Sequence, residues 1–309
     1  MPLPTGRNPK DRIFEGLSAF FAFAVLFLAV LLFLVMLRES MPAIRRFGAA
    51  FLFSREWDPV DEKFGALPFL YGTAVTSLLA ILMAVPLSVG AAIFINDFAP
   101  PWMKKPVSLL AELLAAIPSV IYGLWGIFVL VPMLRDGFMK PVSKYLGWIP
   151  FFRGPAYGPS LLAAGVLLAI MIVPFILSVS REVLATVPAR QKEAVLALGG
   201  TRWEMLRIVI GQHCIPGIFG ATVLGLGRAL GETMAVTMVI GNRPEILTSL
   251  FQQGYSMAAV IANEFAEAAD LQLSSLILVG LLLFLVTFVV NLASKWLLEK
   301  MVKSASGGM

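Results

Sequence analysis

The sequence predicts an all-α integral membrane protein with six transmembrane helices. Of its 309 residues, 59% are hydrophobic and only 14% are charged, and the mean hydropathy is +0.86. These values lie far from those of a soluble globular domain, so they exclude a disordered chain, a fibrous protein and a soluble dinucleotide-binding enzyme. The apolar residues also recur in uninterrupted runs that are long enough to cross a bilayer.

Six such runs match the hydrocarbon core, which takes about 20 helical residues. They cover residues 17–37, 69–95, 107–134, 161–179, 215–240 and 274–294. The first run follows three basic residues and is longer than a signal-peptide core. Since a poor cleavage site follows it, we expect it to remain as a signal anchor. Spans two, three and four contain Pro86, Pro118 and Pro174, which predict bent helices or simply reflect the frequency of proline in membrane helices.

The distribution of basic residues predicts the orientation in the membrane. Thirteen Lys and Arg residues fall in the two termini and in the loops at 96–106 and 181–207, and ten fall in the longer alternate loops. Because Lys and Arg accumulate in short cytoplasmic loops, both termini are expected to be cytoplasmic. The net charge of +5 is not gathered on one face, so no nucleic-acid partner is expected. Trp102, Trp148 and Trp296 fall beside span ends, as interfacial anchors do.

The single cysteine, Cys214, stands beside the single histidine, His213. One cysteine excludes an internal disulfide. The two residues are too few for a zinc or iron–sulfur site, so no metal or other cofactor is predicted. We expect both side chains to pack against protein.

Several other charged residues have alternative interpretations. Glu112, inside span three, is expected to snorkel or pair at an interface, or to line the inner exit. Between spans five and six, Glu264, Glu267, Asp270 and Arg243 form either a solvated external loop or a contact for a binding protein.

Residues 181–207 interrupt the apolar pattern and predict a short surface helix between spans four and five. Pro188 suits the first turn of this helix, and the Gly-Gly pair that begins at Gly199 suits a left-handed stop. Val195 and Leu198 lie three residues apart and would form an apolar stripe on one face. Such a stripe can dock in a groove of a partner protein or lie on lipid headgroups, and the residues alone leave both possibilities open.

Span five contains two opposite charges, Arg228 and Glu232, four residues apart. On an unbroken helix they share one face. A charge at membrane depth is costly and is expected to face protein or a water-filled pathway. The planar guanidinium of arginine suits two parallel hydrogen bonds to an oxyanion. Glu232 would then compete for Arg228 so that the anion can leave, or it only neutralises the arginine for insertion and locks an interface.

Three glycines, Gly225, Gly227 and Gly231, leave one side of the same helix nearly bare. Small residues at this spacing let helix backbones approach closely. They predict a contact with a second membrane subunit more firmly than they predict a substrate site.

Two motifs resemble a known family. Glu193-Ala194-Val195, with Gly199 after three more residues, resembles the EAA loop of ABC-importer permeases, although valine replaces the second alanine. GLGRALGETMAVTMVIGN, which begins at Gly225, is similar to the signature of the C-type permease subunits of bacterial high-affinity phosphate (Pst) ABC importers. Further similar stretches lie at 71–100, 111–126 and 170–194.

This resemblance implies a type I ABC-importer permease. Its five-helix core, spans two to six, would occupy residues 68–298, with a coupling helix at about 188–203. Residues 1–67 would form an N-terminal tail, the first transmembrane helix and an external loop, and residues 299–309 a cytoplasmic tail. The implied location is the bacterial inner membrane.

The implied function is ATP-driven import of inorganic phosphate, with Arg228 and Glu232 on the substrate pathway. ATPase coupling would fall to Glu193, Ala194, Val195, Leu198 and Gly199. The implied partners are a second permease subunit (PstA-type), two ATPase subunits (PstB-type), an extracytoplasmic phosphate-binding protein and membrane lipids.

The sequence contains no G-x-x-x-x-G-K-[ST] phosphate loop, so ATP hydrolysis is assigned to partners and the chain is predicted to be a permease, not an enzyme.

A permease for another oxyanion, such as sulfate or molybdate, stays possible because tetrahedral anions offer similar oxygen geometry. An ion-coupled secondary phosphate transporter would use Arg228 and Glu232 as a relay, but six spans without an inverted repeat disfavour it. A membrane phosphohydrolase would need a nucleophile with a positioned base or metal carboxylates, and neither set is found.

Overall fold

The computed structural model describes residues 9–306, with the side chains of that range except those of 9–12, 209–210, 212–213 and 302–306. In this part of the chain, five helical spans are long and apolar enough to cross a membrane. Two further helices, bent by 65° at a short break, make a sixth span when they are taken together. The prediction of six transmembrane spans is therefore confirmed, with the bent pair counted as one.

The N-terminal part forms one span and a small cap. α1 (Pro9–Glu39) is followed by α2 (Met41–Phe47), α3 (Ala50–Phe53) and an antiparallel hairpin of β1 (Trp57–Asp58) and β2 (Lys63–Phe64). The hairpin turn is held by the Asp58 carboxylate, which accepts hydrogen bonds from the backbone N–H groups of Val60 and Asp61 at 2.8 and 3.2 Å. We call this end of the helix bundle the hairpin end.

The second and third spans follow. α4 (Leu67–Ile93) ends in a π turn at Phe94–Phe98. α5 (Pro101–Ala116) precedes a long helical stretch made of α6 (Ser119–Trp125), α7 (Val131–Leu134) and α8 (Lys140–Leu146), which are joined by two π turns. This stretch, Ser119–Leu146, is the membrane-spanning part.

The predicted third span, 107–134, therefore has the wrong bounds. Pro118 holds Ile117 in an extended conformation (ψ 129°), which ends α5. At the other end, Asp136 pairs with Arg135 at 2.9 Å and with Lys140 at 2.7 Å. The charged residues after 134 thus satisfy one another, and the helix continues through them.

The remaining helices complete the bundle: α9 (Leu161–Ala185), α10 (Ala189–Ala197), α11 (Arg202–His213), α12 (Ile215–Gly231), α13 (Met234–Ile240), α14 (Met257–Glu264) and α15 (Asp270–Ser306). α9 and α15 extend beyond the predicted runs 161–179 and 274–294. Pro86 and Pro174 lie inside α4 and α9, which continue past them.

α9 is the central helix of the main core. It packs against α4, α5, α12 and α13, and its Leu167, Ile172 and Ile176 are fully buried. The hydroxyl of Ser88 in α4 donates a hydrogen bond to the carbonyl of Val173 at 3.1 Å. Apolar packing and this hydrogen bond fix α4 against α9.

A second core lies at the hairpin end, where aromatic rings pack edge to face. The Trp57 ring lies 4.9 Å from that of Phe64 and 4.8 Å from that of Phe69. Glu264 accepts hydrogen bonds from the Trp57 indole at 2.9 Å and from Gln272 at 3.1 Å, so it ties the cap to the last two helices. Of the residues predicted to form a solvated loop or a docking contact, Glu264 is thus partly buried and structural.

The other three members of that predicted group are exposed. Glu267 and Asp270 are open to solvent, and Arg243 pairs with Glu245 at 2.8 Å. Their surroundings leave both original interpretations, a solvated loop and a docking contact, as predictions.

A third core lies at the opposite end, which we call the α10 end. It joins the last turn of α4, α5, α9, α11 and the start of α12 through buried side chains that include Ile95, Ala111, Leu184 and Met205. Cys214 is fully buried in this cluster, as expected for a packing residue. Burial raises the pKa of its thiol. The side chain of His213 lies outside the described residues.

The close approach of α4 to the segment before α14 generates a stability prediction. A Cβ on Gly72 would collide with the backbone carbonyl of Tyr255, whereas a Cβ on Gly90 in the same helix would meet open space. We expect Gly72→Ala to destabilise the protein by about 1–3 kcal/mol or more, because backbone cannot yield as a flexible side chain does. Thermal unfolding of the two variants in detergent measures this effect. Gly90→Ala is the matched control, and equal melting temperatures would refute the close contact.

Candidate functional site

The fifth span is broken where an unbroken helix was predicted. α12 ends at Gly231 because Glu232 adopts an extended backbone (φ −70°, ψ 125°), and α13 starts two residues later at an angle of 65°. The prediction that Arg228 and Glu232 share one helix face is therefore wrong. Glycine is a poor helix former, so Gly231 lowers the cost of ending α12 at this point. The start of α13 is then stabilised by a separate contact.

Glu232 supplies that stabilisation. Its carboxylate accepts a hydrogen bond at 3.3 Å from the backbone N–H of Ala235, in the first turn of α13. The N-terminus of a helix has free N–H groups and a partial positive charge, and a carboxylate satisfies both. The Glu232 carboxylate thus stabilises the N-terminus of α13 instead of neutralising Arg228.

Arg228 lies in the last turn of α12, about 20 Å along the helix from Ile215 at 1.5 Å per residue. It is partly buried. Among the side chains that the structure describes, none forms an ion pair or a hydrogen bond with its guanidinium. The partial negative charge at the C-terminal end of α12 favours a cation there, which helps the helix to hold an arginine without a carboxylate partner.

The neighbour of Arg228 is Tyr122 of α6, whose hydroxyl is close enough to interact with the guanidinium electrostatically. The same hydroxyl donates a hydrogen bond at 2.8 Å to the carbonyl of Leu114 in α5. This bond crosses the α5/α6 break at Pro118. The sequence analysis did not select Tyr122, although a lone tyrosine four residues after Pro118 in an apolar run is a usable signal.

The α5/α6 break at Pro118 and the broken fifth span are brought together by the helices that follow them. α12 has 17 residues and rises about 25 Å before its break, whereas Ala111 of α5 still packs in the α10-end cluster and α5 ends at Ala116. Beyond the breaks, α6 packs on α13, with Gly123 against Met238 and Ala235. Irregular backbone at membrane depth is tolerated only inside protein or beside water. The breaks, Arg228 and Tyr122 therefore form one candidate site for a polar substrate.

The three glycines of α12 divide into two groups. A Cβ on Gly225 would lie 2.7 Å from Ile176 of α9, so this glycine serves packing within the chain and its assignment to a subunit interface is wrong. Gly227 and Gly231 face open space. They remain available for a helix of another subunit.

A helix is present where the coupling helix was predicted, but it is shorter than 188–203. α10 covers Ala189–Ala197, and Pro188 precedes it as the N-terminal flanking residue. Gly199 has φ +83°, the left-handed conformation expected of a helix stop. A second helix then begins at Arg202.

The start of α11 is fixed by a capping box. Thr201 donates to the Glu204 carboxylate from its backbone N–H at 2.7 Å and from its hydroxyl at 2.8 Å, and the hydroxyl accepts from the Glu204 N–H. The hydrogen bond from the backbone N–H, followed by that from the hydroxyl, lowers the pKa of Glu204. This cap separates α11 from the coupling helix.

The exposed face of α10 differs from the predicted one. Val195 is partly buried against the cluster at the α10 end, while Leu198 is 90% exposed. They do not form one stripe because the helix ends at Ala197, before Leu198. Glu193 and Ala194 are exposed with Leu198, so these residues offer a surface to a partner.

Glu112 lines an open cavity of about 250 Å³ with three basic residues: Lys104, Lys105 and Arg181. Within the described part of the chain, it is not within ion-pair distance of any of them. The cavity lies between α5 and α9.

Comparison with known proteins now decides the family. The family model described as "binding-protein-dependent transport system inner membrane component" matches residues 72–303. The chain belongs to this family. It is a multi-pass permease component of a binding-protein-dependent transport system, which confirms the predicted class and its assignment as a non-enzymatic membrane subunit.

Relatives and solved structures agree with this assignment. A phosphate transport system permease protein PstC from Haemophilus influenzae is 45% identical over 94% of each chain. A probable protein of the same name from Methanocaldococcus jannaschii is 38% identical over 92% of this chain and 91% of its own.

Two transporters of known structure share the permease fold. An inward-facing MetNI methionine ABC transporter aligns with a TM-score of 0.53 at 18% identity, over 77% of the permease and 94% of that chain. A bacterial alginate ABC importer aligns with a TM-score of 0.54 at 17% identity, over 94% and 99%. At such low identity these likenesses support the fold alone, and they confirm the predicted all-α permease fold.

The cap on α13 generates the second prediction. Glu232→Ala removes the acceptor of the Ala235 N–H and should destabilise the permease by about 0.5–2 kcal/mol, the usual cost of a lost helix cap. Glu232→Gln keeps an acceptor oxygen and should retain most of the stability. Melting temperatures of both purified variants test this. If Glu232→Gln is as unstable as Glu232→Ala, the negative charge and not the hydrogen bond holds the helix.

Proposed function

We propose that the permease is the C-type membrane subunit of an ATP-driven importer of inorganic phosphate and that Arg228 contacts the anion in transit. The observation that carries this proposal is an arginine at membrane depth whose charge no described side chain neutralises. A charge in that position costs at least about 2.5 kcal/mol on insertion scales, and a polar pathway offsets such a cost. An anion that passes through would complete the pairing of the arginine transiently.

The chemistry of the site favours a tetrahedral oxyanion. A guanidinium cannot lose its proton in a protein, and it presents parallel N–H groups to two oxygens. The Tyr122 hydroxyl interacts electrostatically with the same guanidinium and donates its own proton to the Leu114 carbonyl. Phosphate is preferred to sulfate or molybdate because the similar Haemophilus and Methanocaldococcus proteins are named as phosphate permeases.

Release of phosphate would depend on how closely the Glu232 carboxylate approaches Arg228. Glu232 lies beyond the break and is held by the N-terminus of α13, so it does not compete continuously for Arg228. A rotation of α13 about the break would bring the carboxylate closer to the arginine and weaken its hold on phosphate. The breaks at Pro118 and Glu232 are thus the hinge positions that alternating access requires.

The partners follow from the surfaces. α10, with Glu193, Ala194 and Leu198, would dock on one of two ATPase subunits (PstB-type). Gly227 and Gly231 would meet a second permease subunit (PstA-type), and the hairpin end would receive the phosphate-binding protein. The α10 end and both termini would then be cytoplasmic, in the inner membrane of a bacterium.

The domain boundaries remain as proposed from the sequence, with a shorter coupling helix. Residues 1–67 form the N-terminal part, 68–298 the permease core and 299–309 the tail, with coupling through 189–199. An ion-coupled phosphate transporter is the competing class. It predicts uptake without ATP.

Arg228 is tested by phosphate uptake into proteoliposomes that contain the permease with its partner permease, ATPases and binding protein. Arg228→Ala removes charge-assisted hydrogen bonds of about 1.5–3 kcal/mol, so uptake should fall about 10- to 100-fold. Arg228→Lys should retain part of the activity because it keeps the charge but loses the planar fork. Lys140→Ala, which breaks an exposed ion pair with Asp136, is the matched control.

Two results would overturn the assignment. Full uptake by Arg228→Ala would reduce Arg228 to a structural charge. Uptake that continues without ATP would favour the ion-coupled class, and uptake of sulfate or molybdate in place of phosphate would change the substrate but keep the mechanism.

The docking surface is tested by cross-linking on a Cys214→Ala background. A cysteine at Leu198, which is 90% exposed, should react with the ATPase through a thiol-specific cross-linker. A cysteine at Val195 should react poorly because this side chain packs against the α10-end cluster. Equal labelling of the two positions, or none at Leu198, would move the ATPase contact away from this helix.

A further inference from the structure

The coupling helix is joined to the rest of the permease by a buried ion pair. Lys192, in the middle of α10, pairs with Asp97, and their side chains are only 19% and 7% exposed. The other ion pairs among the described residues have side chains between 40% and 67% exposed. Lys192 and Asp97 therefore form the one described ion pair that water screens little.

Asp97 belongs to the π turn at the end of α4, Phe94–Phe98. π turns are rare and interrupt regular helices mostly at functional positions. Ile95 of this turn and Val195 of α10 enter the same apolar cluster. The turn thus presents Asp97 to α10 within packing that excludes solvent.

The contact continues to a third element. The second oxygen of Asp97 accepts a hydrogen bond from the Asn96 side chain at 3.2 Å, and the Asn96 carbonyl accepts one from Lys104 of α5 at 2.6 Å. α10, the end of α4 and α5 are therefore connected by polar contacts. α5 ends at the break across which Tyr122 holds Leu114, beside Arg228.

We propose that the Asp97–Lys192 pair is the positioning contact that passes the movement of α10, driven by the ATPases, to α4 and α5 and so to the broken spans. The proposal rests on the proposed function. Separating the two partners would leave buried charges unpaired, which is costly. We therefore expect α10 and the end of α4 to move as one body. Apolar packing alone would let α10 slide over the cluster.

The sequence offered a weak signal for this pair. Asp97 is the one carboxylate between the end of span two and Glu112, and Lys192 stands directly before the EAA-like motif. Neither residue touches the candidate phosphate site. Both were passed over because a sequence does not show which loop charges become buried together.

The test uses the full transporter with its partner subunits and binding protein. Lys192→Met and the milder Asp97→Asn, whose amide oxygen still accepts from Lys192, are compared with the charge-reversed double variant Asp97→Lys/Lys192→Asp. Lys300→Met, the same change at an exposed lysine of α15 outside the coupling segment, is the matched control. The readout is phosphate transported per ATP hydrolysed, which a merely structural role would not change.

We expect Lys192→Met to lower this ratio about tenfold, within the usual range of site-to-site coupling. Asp97→Asn should lower it less, the double variant should recover a large part, and Lys300→Met should match the wild type. If Lys192→Met lowers transport and ATP hydrolysis in equal proportion, or the double variant recovers nothing, the pair is not the coupling contact.

A second measurement does not depend on which oxyanion is carried. Spin labels at Leu113 of α5 and Leu224 of α12, both 56% exposed, report the distance between these helices. ATP should change this distance in the wild type and in Lys300→Met but not in Lys192→Met. An ATP-dependent change that persists in Lys192→Met overturns the proposal, whereas failure of phosphate uptake with the distance change intact overturns the substrate alone.

Discussion

The constraint on which this structure depends is that every backbone N–H and C=O in the hydrocarbon core must be satisfied by protein or by water. An unbroken helix meets it without help, so each interruption needs a specific solution. At Glu232 the side chain caps the new helix through the Ala235 N–H. At Pro118 the Tyr122 hydroxyl reaches back to the Leu114 carbonyl. Both solutions use a polar side chain from the segment beyond the break, and both leave the break beside Arg228, where a polar pathway can keep the remaining groups wet.

The same constraint explains why the charges of the fifth span are separated. A direct pair between Arg228 and Glu232 would neutralise the helix, but it would also occupy the guanidinium permanently. The break gives each charge its own helix end: the carboxylate lies at the N-terminus of α13 and the guanidinium at the C-terminus of α12. Each charge is favoured by the partial charge of its helix end. The arginine is therefore tolerated in the membrane without being neutralised, which is the property that an anion site requires.

The sequence was sufficient for the features that depend on composition and on local backbone preference. Apolar length identified the spans, and Gly199 marked the end of the coupling helix, because these signals act within a few residues. It failed at Glu232, where an apolar helical pattern continues across the break, and at 135–146, where ion pairs extend the helix beyond the apolar run. Gly225 and Val195 were assigned to interfaces because a sequence shows that a residue is small or apolar, but not which neighbour in the same chain already covers it.

The packing at the α10 end differs from that at the helix breaks, and this difference affects how a movement of α10 would spread through the protein. The α10 end is held together by buried apolar side chains and by the buried Asp97–Lys192 ion pair. Its helices therefore resist sliding past one another. At Pro118 and Glu232 the regular helical hydrogen bonds are interrupted, so the chain can bend there although the flanking helices pack in the main core. A displacement applied at α10 would therefore be absorbed where the chain is weakest. In this permease one of these positions, Glu232, follows Arg228 by four residues, so under the proposed function a movement of α10 would reach the proposed anion site without any direct contact between the two.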